Sequence, residues 1–147
     1  MVSMSGSSDA EINITAEPGE NVTLTCGDTN INEDFNLHWR RLDQEWNTYM
    51  FFNRNNSVVT DDQHESFKNR VFLKDSQMKD GDLSVVLKNV EIEDSGRYEC
   101  RVEQEDNPLS LLYPISIIDL MVIPPGESVW IRLKGLRPQS ILVVIIL

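Results

Sequence analysis

The strongest constraint on the fold is the run Asp94–Cys100, taken together with Cys26, the only other cysteine, and with Trp39 between them. The first three residues of the run have the composition of a tight turn. Tyr98 and Cys100 follow two positions apart, and in a strand they lie on one face because side chains alternate across a strand. If this face meets the strand that leads to Cys26, the cysteines can bridge two sheets and the Trp39 indole can pack against the sulfur atoms.

The spacing of the two cysteines favours a disulfide over a metal or redox site. Between Cys26 and Cys100 lie 73 residues, and this separation matches no metal-ligand or redox motif. A disulfide that closes a loop of this length removes roughly 4.5 kcal/mol of conformational freedom from the unfolded chain. The alternative is two buried free thiols in a cytosolic protein. If the bridge forms, the protein folds in an oxidising compartment.

Short apolar segments recur along the chain at regular intervals, and no stretch has a convincing helical period. The segments are residues 12–16, 22–26, 35–42, 46–53, 57–60, 67–73, 83–90, 98–103 and 115–122. Nine such strands, including the extra pair between residues 48 and 60, predict an all-β sandwich.

The segment 46–53 is apolar and aromatic on both of its faces. Only one face of a sandwich strand is internal, so we expect some of Trp46, Tyr49 and Phe51 to lie exposed. An exposed aromatic patch usually marks a protein partner. The alternative is that these rings cover one end of the core.

Charge and composition argue against several classes of function. The formal net charge of −11 disfavours nucleic acid as a partner, since like charges repel. The only histidines are His38 and His64, and the chain has no nucleophile motif, phosphate-cradling glycine loop or metal-ligand cluster. The sequence therefore predicts a protein that is not an enzyme, with no cofactor, metal or small-molecule substrate. His38 is predicted to be an outward strand residue.

Residues 11–123 closely resemble an immunoglobulin variable-type (V-set) domain. The resemblance rests on Cys26, Trp39, Leu87 and the run Asp94–Cys100, which unrelated chains rarely combine in this order. It implies a Greek-key sandwich of two antiparallel sheets with Trp39 and Leu87 in the core. Within the V-set group, residues 18–26, 67–71 and 78–90 resemble fish members of the butyrophilin, myelin-oligodendrocyte-glycoprotein and T-cell costimulatory-ligand group.

The resemblance also implies which residues hold the sandwich together. Cys26 and Cys100 form the inter-sheet disulfide, and Tyr98 makes the tyrosine corner. Arg70 pairs with Asp94 at the base of the domain, where an arginine fork can hold a carboxylate through two hydrogen bonds. The alternative for this pair is a loose surface contact worth under about 1 kcal/mol.

Domains of this group bind other proteins through the sheet that contains strands C, C′, F and G. The residues predicted for that face are His38, Arg40, Leu42, Tyr49, Phe51, Glu99, Arg101 and Glu103. The implied function is a cell-surface ligand or receptor that modulates T-cell activation and cytokine production by binding a T-cell surface receptor. Homophilic cell adhesion and a secreted decoy are the alternatives. A receptor-gene segment is disfavoured, because residues 117–120 replace the usual Phe-Gly-x-Gly run.

Sequons at Asn13, Asn21 and Asn55 predict a glycoprotein of the secretory route, displayed on the external side of the plasma membrane. Residues 1–10, a predicted disordered lead, lack the apolar core of a signal peptide. The predicted tail, residues 124–147, ends in seven apolar residues, whereas a membrane-spanning helix needs roughly 20. Two interpretations of the tail stay open: the start of a truncated membrane span, with the anchor beyond this chain, or an aberrant terminus.

Overall fold

The alternating segments form nine strands in the part of the chain that the computed structural model describes, residues 10–31, 34–42, 48–55, 57–104, 107–111 and 114–125. The strands are β1 (Ala10–Ala16), β2 (Val22–Leu24), β3 (Phe35–Arg41), β4 (Thr48–Arg54), β5 (Ser57–Val58), β6 (Val71–Leu73), β7 (Val85–Leu87), β8 (Gly96–Gln104) and β9 (Ser116–Val122). Short 3-10 helices span Glu65–Phe67, Lys79–Gly81, Ile92–Asp94 and Pro108–Leu111. No helix among the described residues is both long and apolar enough to cross a membrane.

Three sequence predictions concern residues outside this description. They are the lead before Ala10, the exposure of Trp46, and the tail beyond Pro125. β1 begins at Ala10, one residue inside the predicted lead.

The strands form two sheets, in the orders β1-β9-β8-β3-β4-β5 and β2-β7-β6. This arrangement confirms the all-β sandwich, and β4 and β5 form the extra hairpin. One pair departs from a purely antiparallel arrangement, because β1 runs parallel to β9. The Pro18–Glu20 turn carries the chain from β1 to β2 of the other sheet, and the Gly19 N–H in this turn donates to the Val90 carbonyl at 2.8 Å.

The core lies where the inward side chains of the two sheets meet. Trp39 is completely buried there, and its indole N–H donates to the Leu83 carbonyl at 3.0 Å, just before β7 of the opposite sheet. A disulfide joins Cys26 to Cys100 in β8, with their Cα atoms 6.5 Å apart. That distance is normal for a disulfide. The tryptophan and the disulfide together tie the two sheets to each other.

The base of the domain is organised around the Asp94 carboxylate. The Arg70 guanidinium donates to both of its oxygens, and the Glu91 N–H donates to one of them at 2.8 Å. The Tyr98 hydroxyl donates to the Asp94 backbone carbonyl. Arg70 also donates to the carbonyls of Ser66, Lys88 and Asn89. One arginine therefore connects the helical turn at Ser66, the end of β7 and the turn before β8.

Replacing Arg70 with methionine removes the cation that faces Asp94, a residue only 5% exposed. A buried carboxylate without its partner is strongly destabilising, so we expect urea unfolding to show a loss of about 3 kcal/mol. Lys68→Ala is the matched control, because Lys68 and Glu65 form an exposed pair at 3.4 Å, and such pairs contribute under about 1 kcal/mol. An equal loss in both variants would contradict the assignment.

Candidate protein-binding face

The outward side of the six-stranded sheet, here called the front face, collects charged and aromatic side chains from four central strands. Its members are Asn36, His38 and Arg40 of β3, Tyr49, Phe52 and Arg54 of β4, Arg97, Glu99, Arg101 and Glu103 of β8, and Ile117 and Asp119 of β9. The alternation of β3 explains the separation: Leu37 and Trp39 point inward and are fully buried, while their neighbours His38 and Arg40 point outward.

A β-bulge in β4 decides which aromatic rings reach the front face. Across the β3–β4 pair, Trp39 lies opposite Phe51 and Arg40 lies opposite Tyr49, which leaves Met50 as the extra residue. An extra residue in one strand changes the inward and outward alternation beyond it. As a result, Met50 and Phe51 are both members of the core.

Phe51 is therefore not a residue of the front face, and its predicted place there is corrected. Its side chain is 2% exposed and packs inside the sandwich. The outward position belongs to Phe52, which lies in register with His38. The sequence does carry a signal for this shift, because the consecutive apolar residues Met50, Phe51 and Phe52 interrupt the alternation of the strand.

Three rings form an aromatic cluster on the front face. The His38 ring lies 4.6 Å from the Phe52 ring and 5.9 Å from the Tyr49 ring, and the Tyr49 and Phe52 rings are 6.1 Å apart. The Arg54 guanidinium covers Phe52, and the Arg54 Cζ atom lies 5.2 Å from the centroid of the Phe52 ring. Aromatic pairs and cation–π contacts at these distances are attractive. The cluster is therefore packed before any partner arrives.

Beside the aromatic cluster, two arginines surround a buried carboxylate. Arg40 donates to one Glu99 oxygen through Nε at 3.1 Å and Nη2 at 2.6 Å, and Arg101 donates to the same oxygen through Nε at 2.8 Å. Burial alone raises the pKa of Glu99, but the hydrogen bonds from Arg101 and Arg40 outweigh burial and hold this pKa below its ordinary value. Glu99 therefore stays charged and fixes both guanidinium groups.

The predicted role of Glu99 as a contact residue also needs correction. Its side chain is 2% exposed, whereas those of Arg40 and Arg101 are 22% and 20% exposed. A residue this deeply covered orients its neighbours and offers little surface to a partner. Sequence alternation correctly places Glu99 outward but cannot show that arginines on two strands cover it.

A polar edge formed by Asn36, His38 and Glu103 borders the aromatic cluster. The Asn36 side-chain amide donates to Glu103 Oε1 at 3.1 Å, and His38 Nε2 lies 3.4 Å from the same oxygen. Burial lowers the pKa of His38, and the neighbouring Glu103 only partly offsets this effect. The hydrogen bond from Asn36 lowers the pKa of Glu103. At neutral pH this edge therefore carries a neutral imidazole and a charged carboxylate.

The remaining predicted residue, Leu42, lies at the border of the front face, next to Arg97. Leu42 is half-buried just after β3, where its N–H donates to the Arg97 carbonyl at 2.8 Å. Arg97 itself pairs with Asp119 at 2.9 Å and Glu11 at 3.2 Å, which ties β8 to β9 and β1.

No group of three or more potential ligands capable of holding a metal ion occurs among the described residues.

The immunoglobulin V-set domain family matches residues 9–114 of the chain. The chain belongs to the immunoglobulin V-set family. Human butyrophilin subfamily 2 member A2 is 25% identical over 130 residues, which cover 87% of this chain and 24% of that protein. The chain thus spans about a quarter of the length of this curated relative. These matches confirm the resemblance to V-set and butyrophilin proteins.

Solved structures of other proteins show the same fold. A chain in the crystal structure of ICOS in complex with ICOS-L and an anti ICOS-L VNAR domain superposes with a TM-score of 0.65 at 21% identity, covering 78% of this chain and 55% of that one. The extracellular domain of the voltage-gated sodium channel beta4 subunit, solved as parallel homodimers, gives a TM-score of 0.59 at 21% identity, covering 81% and 96%. V-set domains are in general recognition modules.

The stability of the domain should fall on mild acidification because of His38. Its pKa in the folded protein lies below the ordinary 6.5, so the unfolded chain binds the proton more readily. The corresponding stability is fully present above pH 6.5 and is lost as the pH falls through the folded pKa. We expect His38→Gln to flatten this decline in urea unfolding between about pH 6.5 and 5. The same decline in both proteins would contradict the role of His38.

Proposed function

We propose that the protein is a cell-surface recognition molecule that binds a T-cell surface receptor through the front face and thereby modulates T-cell activation and cytokine production. Membership of the V-set family and the match to a butyrophilin support a recognition role. The resemblance of residues 18–26, 67–71 and 78–90 to the costimulatory-ligand group supports the T-cell assignment. On this proposal the protein works by binding alone and catalyses no reaction.

The observation that carries the proposal is the packed combination of aromatic rings and guanidinium groups at the centre of the front face. Tyrosine and arginine are enriched among the residues that dominate binding energy in protein interfaces. Tyr49 packs against His38 and Phe52, and Arg54 is exposed above Phe52. Side chains that are already ordered lose little conformational freedom when a partner binds.

The charge at the centre of the front face differs in sign from the net charge of the chain, and this difference suits a specific protein partner. The chain is acidic overall, with a formal net charge of −11. Among the described residues at the centre of the face, Arg40, Arg54 and Arg101 accompany two carboxylates, Glu99 and Glu103. The centre is therefore locally basic on an acidic domain. Such local contrast orients a partner and suppresses wrong ones.

The binding test uses fluorescent multimers of the secreted, glycosylated protein on T lymphocytes, measured by flow cytometry and by cytokine release. Tyr49→Ser and Arg54→Glu alter the front face without exposing the buried Glu99. We expect each to weaken binding about tenfold or more, as for interface residues that dominate the energy. Phe72→Ser is the matched control, since Phe72 is 45% exposed on β6 of the other sheet.

Three outcomes would overturn the front-face assignment. The first is full binding by both Tyr49→Ser and Arg54→Glu, and the second is loss of binding in Phe72→Ser alone. The third is the absence of any binding to T lymphocytes by the unmodified protein, which would remove the T-cell proposal itself.

Homophilic adhesion is the second candidate, and the mixed charges of the front face favour it, since Arg54 and Glu103 could pair between two copies. The relative from the sodium channel beta4 subunit forms parallel homodimers that explain its role in cell-cell adhesion. Under this alternative, sedimentation of the glycosylated protein shows a concentration-dependent dimer that Tyr49→Ser disperses. A strict monomer removes the candidate. A secreted decoy would use the same face without an anchor.

A further inference from the structure

In the part of the chain that the structure describes, the three sequons lie at open edges of the two sheets. Asn13 is in β1 and Asn55 is at the tip of the hairpin that leads into β5, and these are the two terminal strands of the six-stranded sheet. Asn21 directly precedes β2, a terminal strand of the three-stranded sheet. All three side chains are exposed. An open strand edge presents unpaired N–H and C=O groups on which another chain can pair.

Asn13 projects from the front-face side of β1. Its neighbours Ile12 and Ile14 pack against the core, so Asn13 lies on the opposite side of the strand. It is in register with Asp119, the front-face residue whose carboxylate binds Arg97 at 2.9 Å. A glycan on Asn13 would therefore cover the β1 edge and the adjacent part of the front face.

Asn55 lies at the opposite edge of the same sheet. Arg54 and Ser57 pair across the hairpin, so Asn55 lies in the turn that joins β4 to β5. Asn55 has a positive φ of 50°, and asparagine is among the few residues other than glycine that adopt this conformation readily. The turn thus presents an asparagine side chain at the tip of the hairpin, and a glycan there would shield the short strand β5.

We propose that N-linked glycans on Asn13 and Asn55 shield the two open edges of the six-stranded sheet and leave the centre of the front face as the route of approach for a partner. This proposal rests on the secretory location in the proposed function. When such an asparagine is glycosylated, its Nδ2 forms a bond to the first sugar of a lipid-pyrophosphate-linked oligosaccharide. The bond from that sugar to pyrophosphate breaks, and Nδ2 loses one proton.

Asn21 provides an internal contrast. Its side-chain Oδ1 accepts a hydrogen bond from the Asn89 N–H at 3.0 Å, and it belongs to the three-stranded sheet. A glycan on its Nδ2 would lie away from the front face. Loss of the Asn21 glycan should therefore leave both edges of the six-stranded sheet shielded.

The experiment compares the secreted protein with variants that break sequons while keeping each asparagine. Thr15→Val and Ser57→Ala together remove the Asn13 and Asn55 sites, and both residues are exposed. Thr23→Val is the matched control, because it removes the Asn21 site and keeps the hydrogen bond to Asn89. All proteins carry Tyr49→Ser, so that pairing through the front face does not contribute to the sedimentation result.

Glycopeptide mass spectrometry of the parent protein should show glycans on Asn13 and Asn55. In sedimentation velocity we expect the Thr15→Val, Ser57→Ala double variant to self-associate at least tenfold more strongly than both the parent and Thr23→Val. Thr23→Val uncovers only the three-residue strand β2, whereas the double variant uncovers the seven-residue strand β1 together with β5. Enzymatic removal of the glycans from the folded parent should reproduce the association if the double variant does not fold. An unoccupied Asn13 or Asn55, or a fully deglycosylated protein that stays monomeric, overturns the proposal. None of these measurements uses a partner, so they are independent of the binding test on lymphocytes.

Discussion

The pairing of β3 with β8 around Trp39 is the constraint on which the rest of the structure depends. Trp39 lies opposite Cys100, so the buried indole and the disulfide share one register. This register also places Arg40 opposite Glu99 and His38 opposite Arg101 on the outward side. A slip of one residue would bring Arg40 into the core, at a large energetic cost. The packing of the core therefore fixes the position of the residues that we propose for binding.

Hydrogen-bonded ion pairs within the front face fix the positions of its central charged side chains. Burying the Glu99 carboxylate is unfavourable by itself, and the paired guanidinium groups of Arg40 and Arg101 offset that penalty through hydrogen bonds. Removing either arginine would disturb the other through the shared carboxylate. The half-buried Tyr49 and the exposed Arg54 are better probes of binding, since neither bonds to Glu99. The central charges therefore have a structural role besides the one that we propose for them in binding.

Much of the fold follows from local sequence pattern, and the site follows from it only in part. Alternation along single strands is sufficient to predict the inward Trp39 and the outward His38 and Arg40. Phe52 and not Phe51 faces outward because of a β-bulge, and a bulge arises from the pairing between two strands. The burial of Glu99 likewise requires knowing which side chains lie across the sheet. The parallel pairing of β1 with β9 joins residues distant in sequence, and no local pattern indicates it.

The central claim is that the bulge in β4 places Phe52 on the front face and Phe51 in the core. Nuclear Overhauser effects between assigned side-chain protons test it most directly. We predict contacts between the rings of His38 and Phe52, whose centroids are 4.6 Å apart, and contacts of Phe51 with buried core residues. Contacts between His38 and Phe51, with Phe52 packed in the core, would contradict the account.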